Sequence, residues 1–234
     1  MKNHLKRIPA PKSWAIDRRT ATFVIRPTSS GHSFDKGLPL GVVLRDILKM
    51  ASTRNEAQKL LHHQEVLVDG IRRRDHHYFV GLFDTITFPA LKKSFKVVFD
   101  VKGRITIEET HFTGLKVCKI VRKMAVPGGK IQYTFHDGKN ICSDKAIPVG
   151  ASVVVSVPDL VVKEVLDLKP GAHVFLVQGK YRGSFGTLKE INGKGAVYES
   201  QGQMIETASP YLFVVKELPK IKHQEKKQEK KNRD

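Results

Sequence analysis

From Leu40 the apolar residues fall at Leu40, Val43, Leu44, Ile47, Leu48 and Ala51, the i, i+3, i+4, i+7 spacing of an amphipathic helix that Pro39 is placed to open. Thr53-Arg54-Asn55-Glu56 then reads as a capping box, with the Thr53 hydroxyl satisfying the amide three residues on and Glu56 reaching back to the Thr53 amide. Ala57, Leu60 and Leu61 supply the buried stripe of this second helix; Arg54, Asn55, Gln58, Lys59 and His62 supply a polar, cationic one. At Val66-Leu67-Val68 the pattern turns to β-branched strand material, and the Asp69-Gly70 that follows is a strong hairpin signal. Arg72, Arg73 and Arg74 come directly after that turn. Phe79-Val80-Gly81 and Asp84 to Phe88 read as further strand, stopped by Pro89. Residues 37–90 are thus predicted to form a unit of two helices and a small sheet.

From 91 to 168 the apolar positions alternate, as in Phe95-Val97-Phe99, Ile105-Ile107, Ile131-Tyr133-Phe135 and Val153-Val155-Val157. Gly103, Gly128-Gly129, Asp137-Gly138 and Gly150 punctuate the run at hairpin intervals, which predicts a central antiparallel, barrel-like β domain. Residues 169–217 form another short β unit, around Val174 to Val177 and Gly186 to Leu188. The predicted class is a multidomain α+β chain. Residues 1–36 carry Lys2, Lys6, Arg7, Lys12, Arg18, Arg19, Arg26 and Lys36 against Asp17 and Asp35, with little apolar periodicity, so an extended arm ordered by a partner is expected. Residues 218–234 are expected to be a basic, disordered tail.

Composition sharpens this picture in one direction. The 234 residues hold 41 Lys+Arg against 23 Asp+Glu, a net charge of +18, and such an excess calls for an anionic partner. Cys118 and Cys142 are too few for a disulfide framework and lack zinc spacing; Cys118 lies in a strand-like run where a thiol behaves as a small core residue. The histidine pairs His62-His63 and His76-His77 point their neighbours in different directions, and no H-E-x-x-H accompanies them, so neither metal nor cofactor is expected. No apolar run approaches the roughly 18–20 residues of a membrane span, and no secretory leader is visible, which leads us to expect a soluble, cytoplasmic protein. Residues 91–168 show no dinucleotide fingerprint, no Walker loop and no Gly-Arg-Leu-Asp string, so neither a catalytic residue nor a small-molecule substrate is expected.

The residues that suit a polyanion fall in three places. Arg54 and Asn55 occupy the first turn of the second helix, where free amides and the helix dipole favour phosphate; Lys59, His63 and Gln64 continue that helix, and Arg72, Arg73 and Arg74 leave the adjoining turn. Lys180, Tyr181 and Arg182 place charge and a ring in a glycine-rich loop, and the arm adds Lys6, Arg7, Lys12, Trp14, Arg18 and Arg19. Trp14 and Tyr181 are candidates to stack on unpaired bases.

Leu40-x3-Leu44, Thr53-Arg54-x-Glu56-Ala57, Leu60-Leu61, Val66-Leu67-Val68-Asp69-Gly70 and Val80-Gly81-x2-Asp84-x-Ile86 resemble the small RNA-binding fold named after bacterial ribosomal protein S-four. Pro39, Gly41 and Glu65 depart from its usual residues. Val174-Phe175-Leu176-Val177-x-Gly179-x3-Gly183-x2-Gly186-x-Leu188 resembles a KOW motif, which implies a small SH3-like barrel at the C-terminal end. With His4-Leu5-Lys6-Arg7, Pro11-Lys12-Ser13-Trp14, Gly128-Gly129-Lys130-Ile131-Gln132 and His136-Asp137-Gly138-Lys139-Asn140, the order of parts resembles the S-four-e family of the small ribosomal subunit of archaea and eukaryotes, in its archaeal length. That resemblance implies a structural, non-catalytic partner of small-subunit rRNA, beside neighbouring ribosomal proteins. The other classes weighed are a free RNA-binding assembly or transcription factor and an RNA-modifying enzyme.

Overall fold

A computed structural model of the chain describes residues 4–111, 113–200 and 202–216. The tail expected at 218–234 lies outside them. Strands dominate, few helices occur, and every strand pair among the described residues is antiparallel.

The arm does not wait for a partner. Its β1 (Leu5–Lys6) pairs with β2 (Phe23–Val24), and the chain between them bends so that Ala10 and Trp14 enter the core. Arg18 closes that bend from inside: its guanidinium donates to the carbonyls of Arg7, Ile8, Ala10 and Pro11 at 2.8–3.1 Å. Arg7 is buried, bonded to the Asp46 carboxylate at 3.0 Å and to the Asp17 carbonyl. The expectation of an arm ordered only by a partner is therefore corrected for residues 4–36. Two of its cations do internal hydrogen bonding, and its few apolar residues borrow a core built elsewhere in the chain.

Next come β3 (Gly37–Pro39) and α1 (Leu40–Val42), which passes into a π-helical stretch over Val43–Ile47. The long amphipathic helix expected from Leu40 to Ala51 is not formed. Leu40 to Leu44 are all buried, including Gly41 and Val42 at positions the periodic pattern leaves outside the stripe, so the turn widens to place both faces in the core. Leu48 N–H bonds to Val43 O at 2.9 Å, and Lys49 takes the left-handed φ of 54° that ends the segment.

The second helix, α2 (Arg54–His63), forms as predicted. The Thr53 hydroxyl accepts from Glu56 N–H at 3.2 Å, while the Glu56 carboxylate accepts from Ser52 N–H at 2.8 Å, one residue before the expected Thr53. β4 (Leu67–Val68) and β5 (Ile71–Arg72) then make a two-residue hairpin with φ of 50° at Asp69 and 77° at Gly70, the I′ geometry that Asp-Gly favours.

β6 (Phe79–Gly81) pairs with β3; β7 (Thr85–Phe88) leads through a 3-10 turn at Pro89–Leu91 into β8 (Lys93–Phe99) and β9 (Ile105–Thr110). These strands build one sheet in the order β5-β4-β7-β8-β9, so the division drawn at 90/91 falls on a hairpin within a single sheet. A second sheet holds β10 (Leu115–Ala125), β11 (Ile131–Phe135), β12 (Asn140–Ser143), β13 (Ser152–Ser156) and β14 (Val162–Leu166) in the order β12-β11-β10-β13-β14. The third contains β15 (His173–Leu176), β16 (Phe185–Asn192), β17 (Gly195–Ser200), β18 (Gln203–Ala208) and β19 (Leu212–Val214), ordered β18-β17-β16-β15-β19.

Each five-stranded sheet has its own apolar cluster, and aromatic rings join the third to the first. Phe83 packs against Phe175 and Phe213 at centroid distances of 5.6 and 4.8 Å, and Phe175 and Phe213 belong to the same core as Leu40 and Val68.

Candidate nucleic-acid interface

The α2 face and the β4–β5 turn lie side by side. Asn55, Lys59, His63 and Gln64 are exposed along α2. Arg54, in its first turn, donates through Nε to His76 Nε2 at 2.9 Å and contacts His77 Nε2 at 3.3 Å. Burial first, then the neighbouring His77 and Arg54, lowers the pKa of His76, which favours the neutral ring that accepts this hydrogen bond. Arg72 reaches the His62 carbonyl at 3.4 Å and ties the hairpin to the end of α2. Arg73 lies over the Tyr78 ring at 4.3 Å, and Arg74 is exposed. Arg72, Arg73, Arg74, Asp75 and Tyr78 surround an open hollow of about 420 Å³.

What fixes this hairpin is a buried ion cluster that sequence reasoning missed. Lys116 Nζ, on β10, bonds to Asp69 Oδ2 at 2.7 Å, Asp84 Oδ1 at 2.5 Å and Asp137 Oδ2 at 2.9 Å, joining the β4–β5 turn, the approach to β7 and the β11–β12 turn. Lys139 adds a second cation, 3.1 Å from Asp69 and 3.7 Å from Asp137, and His32 sits 3.3 Å from Asp84. Backbone amides complete the carboxylates: Thr85 N–H donates to Asp69 Oδ1 at 3.1 Å and Gly81 N–H to Asp84 Oδ2 at 2.8 Å. Burial acts to raise the pKa of Asp84 and Asp137, but the Lys116 ammonium, the adjacent histidine (His32 for Asp84, His136 for Asp137) and the hydrogen bonds together outweigh it, so Asp84 is held well below the usual carboxylate range and Asp137 is lowered. Burial likewise opposes charge on Lys116, and Asp84, Asp69 and Asp137 together keep it protonated. The available sequence signal is the alternation Lys116, Cys118, Ile120, in which a lysine takes an inward position of a strand whose next two inward residues are apolar.

His136 stands beside this cluster as a neutral ring. It accepts at Nδ1 from Lys119 N–H and turns Nε2–H to the Leu82 carbonyl, both at 3.3 Å; burial, then Lys116, pushes its pKa down to about 3.

The other predicted sites divide sharply. Lys180 and Tyr181 are exposed, with the Lys180 ammonium 5.6 Å from the Tyr181 ring centre. Arg182 faces inward: its guanidinium lies 3.8 Å from the centre of the Phe99 ring and donates to Asp35 O and Oδ2 at 2.7 and 3.3 Å. Gly183 follows with φ of 89°, and a Cβ there would stand 2.1 Å from the Asp100 carbonyl, so the close approach this glycine allows is to the chain's own β8–β9 turn. In the arm, Lys6, Lys12 and Arg19 are exposed. Trp14 is 2% exposed and packs against Phe34 at 5.4 Å, so it offers no ring face to a base. Arg7, Arg18, Trp14 and Arg182 are thus corrected from contact residues to internal ones. Among the described residues, no group of three or more His, Cys, Asp or Glu is placed to hold a metal ion, and no helix is long and apolar enough to cross a membrane.

Comparison with known proteins adds three family matches in chain order: the RS4NT domain over residues 1–35, the S4 domain over 39–86 and ribosomal family S4e over 91–161. A protein of Methanocella arvoryzae named small ribosomal subunit protein eS4 is 37% identical over 226 residues, covering 94% of this chain and 97% of its own. The chain belongs to ribosomal family S4e. The protein of that name in Methanococcus vannielii is 35% identical over 230 residues, covering 92% and 94% of the two chains. The crystal structure of the 30S ribosomal protein S4e from Thermoplasma acidophilum superposes with a TM-score of 0.67 at 28% identity, over 77% of this chain and 95% of that one. In this S4e protein the S4 match contains α2 and the β4–β5 turn, while the S4e match contains Lys116 and Asp137, so the ion cluster bridges the two.

Proposed function

We propose that this protein is a structural constituent of the small ribosomal subunit, holding folded small-subunit rRNA through the α2 face and the β4–β5 turn. The observation that carries the reading is the placement of Arg54, Asn55, Lys59, Arg72 and Arg74 around one surface in a chain whose relatives are named small ribosomal subunit protein eS4. The chemistry is electrostatic. Each lysine or arginine that meets a phosphate releases condensed counterions, and the amides of the first turn of α2 fix register without reading sequence. The rigidity of Lys116 and its carboxylates serves this role, because a turn that swings spends binding energy on being ordered.

The units of function follow the divisions at 37–90, 91–168 and 169–217, the first two sharing a sheet. The last works as a KOW-type SH3-like unit, offering Lys180 and Tyr181 at its loop. Neighbouring ribosomal proteins cover exposed apolar residues such as Val161 and Met204. The protein performs no catalytic step and works on the cytoplasmic ribosome.

Sucrose-gradient fractionation of cells expressing the tagged full chain tests this. Co-migration with the small subunit through moderate salt is the expected result, and appearance only with free protein or with precursor particles rejects it.

A further inference from the structure

A cleft of about 640 Å³ opens between the central sheet, the C-terminal sheet and the segment before β3, with no α2 residue in its lining. The half-buried Tyr211, the buried Phe135 and Phe213 and several aliphatic side chains line it, and Gln178, Thr134 and Ser209 add hydrogen-bonding groups. Its lining includes Lys36 and Lys119 and no carboxylate. Lys119 Nζ donates to the Pro210 and Leu212 carbonyls at 2.7 and 2.6 Å, which leaves one donor of the ammonium to give.

The cleft is continuous with a prepared sheet face. A bulge at Val121, between the pairs Ile120↔Phe135 and Arg122↔Thr134, bends β10 so that its last residues stand clear of the protein. Beyond it Arg122, Thr134 and Asn140 form one cross-strand row, and Met124, Gln132 and Cys142 the next, all on one face. Thr134 belongs both to this face and to the cleft wall. The Arg122 side chain makes no hydrogen bond or ion pair among the described residues. The face holds one cation, amide and hydroxyl groups, and no acid.

We propose that this cleft takes one unpaired nucleotide of a single-stranded RNA segment, whose neighbouring nucleotides run over the Arg122-Thr134-Asn140 row. The reading rests on the RNA-binding function above and adds a second, chemically different site to it. An apolar side chain from a protein would fill the walls and leave the Lys119 ammonium buried beneath it with carbonyls but no counter-charge, which is costly. A nucleotide supplies both halves: a flat base to lie against Tyr211 and the aliphatic lining, and a phosphate for the lysines and Arg122. Burial, then the charge of Lys36, lowers the pKa of Lys119 to about 8; burial also lowers that of Lys36, against the pull of Asp35. An anion at the mouth relieves the strain on both.

The test uses the full chain with two probes: a single-stranded RNA of about ten nucleotides, within the span of single-strand binding sites, and a fully paired RNA hairpin. Val149→Trp blocks the mouth from an exposed position, and Gln178→Glu puts an acid into it from another. Each is expected to weaken single-strand binding about tenfold or more, as loss of one stacked base does, with hairpin affinity and melting temperature unchanged. A 4-thiouridine in the strand is expected to crosslink to the peptide containing Tyr211. If both variants bind the single strand as the parent does, the cleft proposal is wrong while hairpin binding still supports the RNA reading. If the parent binds neither probe, the RNA reading itself fails. A photo-crosslinker at position 149 that captures a protein rather than rRNA in assembled subunits also overturns the nucleotide.

Discussion

Arg72-Arg73-Arg74 and Lys180-Tyr181-Arg182 are both basic tripeptides at turns, and the fold treats them in opposite ways. After the Asp69-Gly70 turn, the chain leaves the sheet edge, so Arg72 and Arg74 stay in water and only Arg73 lies down, on Tyr78. At the second turn the glycine-rich loop presses on the β8–β9 turn, and Arg182 is drawn between Phe99 and Asp35. Charge at a turn is therefore not in itself evidence of a contact surface. What decides is whether another part of the chain occupies the space the side chain would sweep, because a guanidinium that finds a ring and a carboxylate inside is already satisfied.

The comparison between inward and outward cations can be broken most forcefully at Lys116. Lys116→Met strands three buried carboxylates with only Lys139 and His32 nearby, and urea unfolding is expected to show a loss of about 3–5 kcal/mol. Acid should reveal the same region without mutation. His136 is neutral when folded, with its pKa near 3 against an ordinary value near 6.5, so its contribution to stability is complete above pH 6.5 and is lost as pH falls toward 3. Asp84 and Asp137, held low, act in the same sense but only below the ordinary carboxylate range near 3.9. Urea midpoints measured down from pH 7 should therefore begin to fall before carboxylates titrate, and a His136→Gln variant should reduce that early part to the share of His76, whose pKa is also lowered.

Arg182→Ala deletes two hydrogen bonds and a cation–π contact, and is expected to cost about 1.5–3 kcal/mol in the same assay with no change in RNA affinity. Thr53→Ala removes the cap of α2, for about 1 kcal/mol. Arg72→Ala with Arg74→Ala is the converse of Arg182→Ala: stability should stay within about 0.5 kcal/mol, while the salt slope in filter binding to small-subunit rRNA falls by about 0.7–0.9 per arginine. Equal behaviour of Arg182 and Arg72 in these two assays would erase the distinction drawn between the turns.

Local chemistry was readable from residue order. The cap at Thr53, the I′ turn at Asp69-Gly70 and the alternating strands all depend on neighbours within a few residues, and each formed where expected. The helix expected from Leu40 to Ala51 did not, because burial on all sides overrode the periodic stripe. For the proposed site, residue order alone did not say which side chains stay at the surface. Asn55, Lys59, Arg72, Arg74, Lys180 and Tyr181 are exposed as a contact residue must be, whereas Trp14, Arg7, Arg18 and Arg182 are not, since their partners lie 7 to 147 residues away or in the core.

By itself the order of residues determined the polyanion-directed charge, the all-antiparallel strand content and the α2–hairpin surface, because charge is additive and turns are local. Only the tertiary structure decided which cations remain for a partner, placed Lys116 among Asp69, Asp84 and Asp137, and opened the cleft at Tyr211. Those outcomes depend on which distant segments share a volume, and desolvation, not sequence spacing, sets the free energy of a charge once that volume is closed to water.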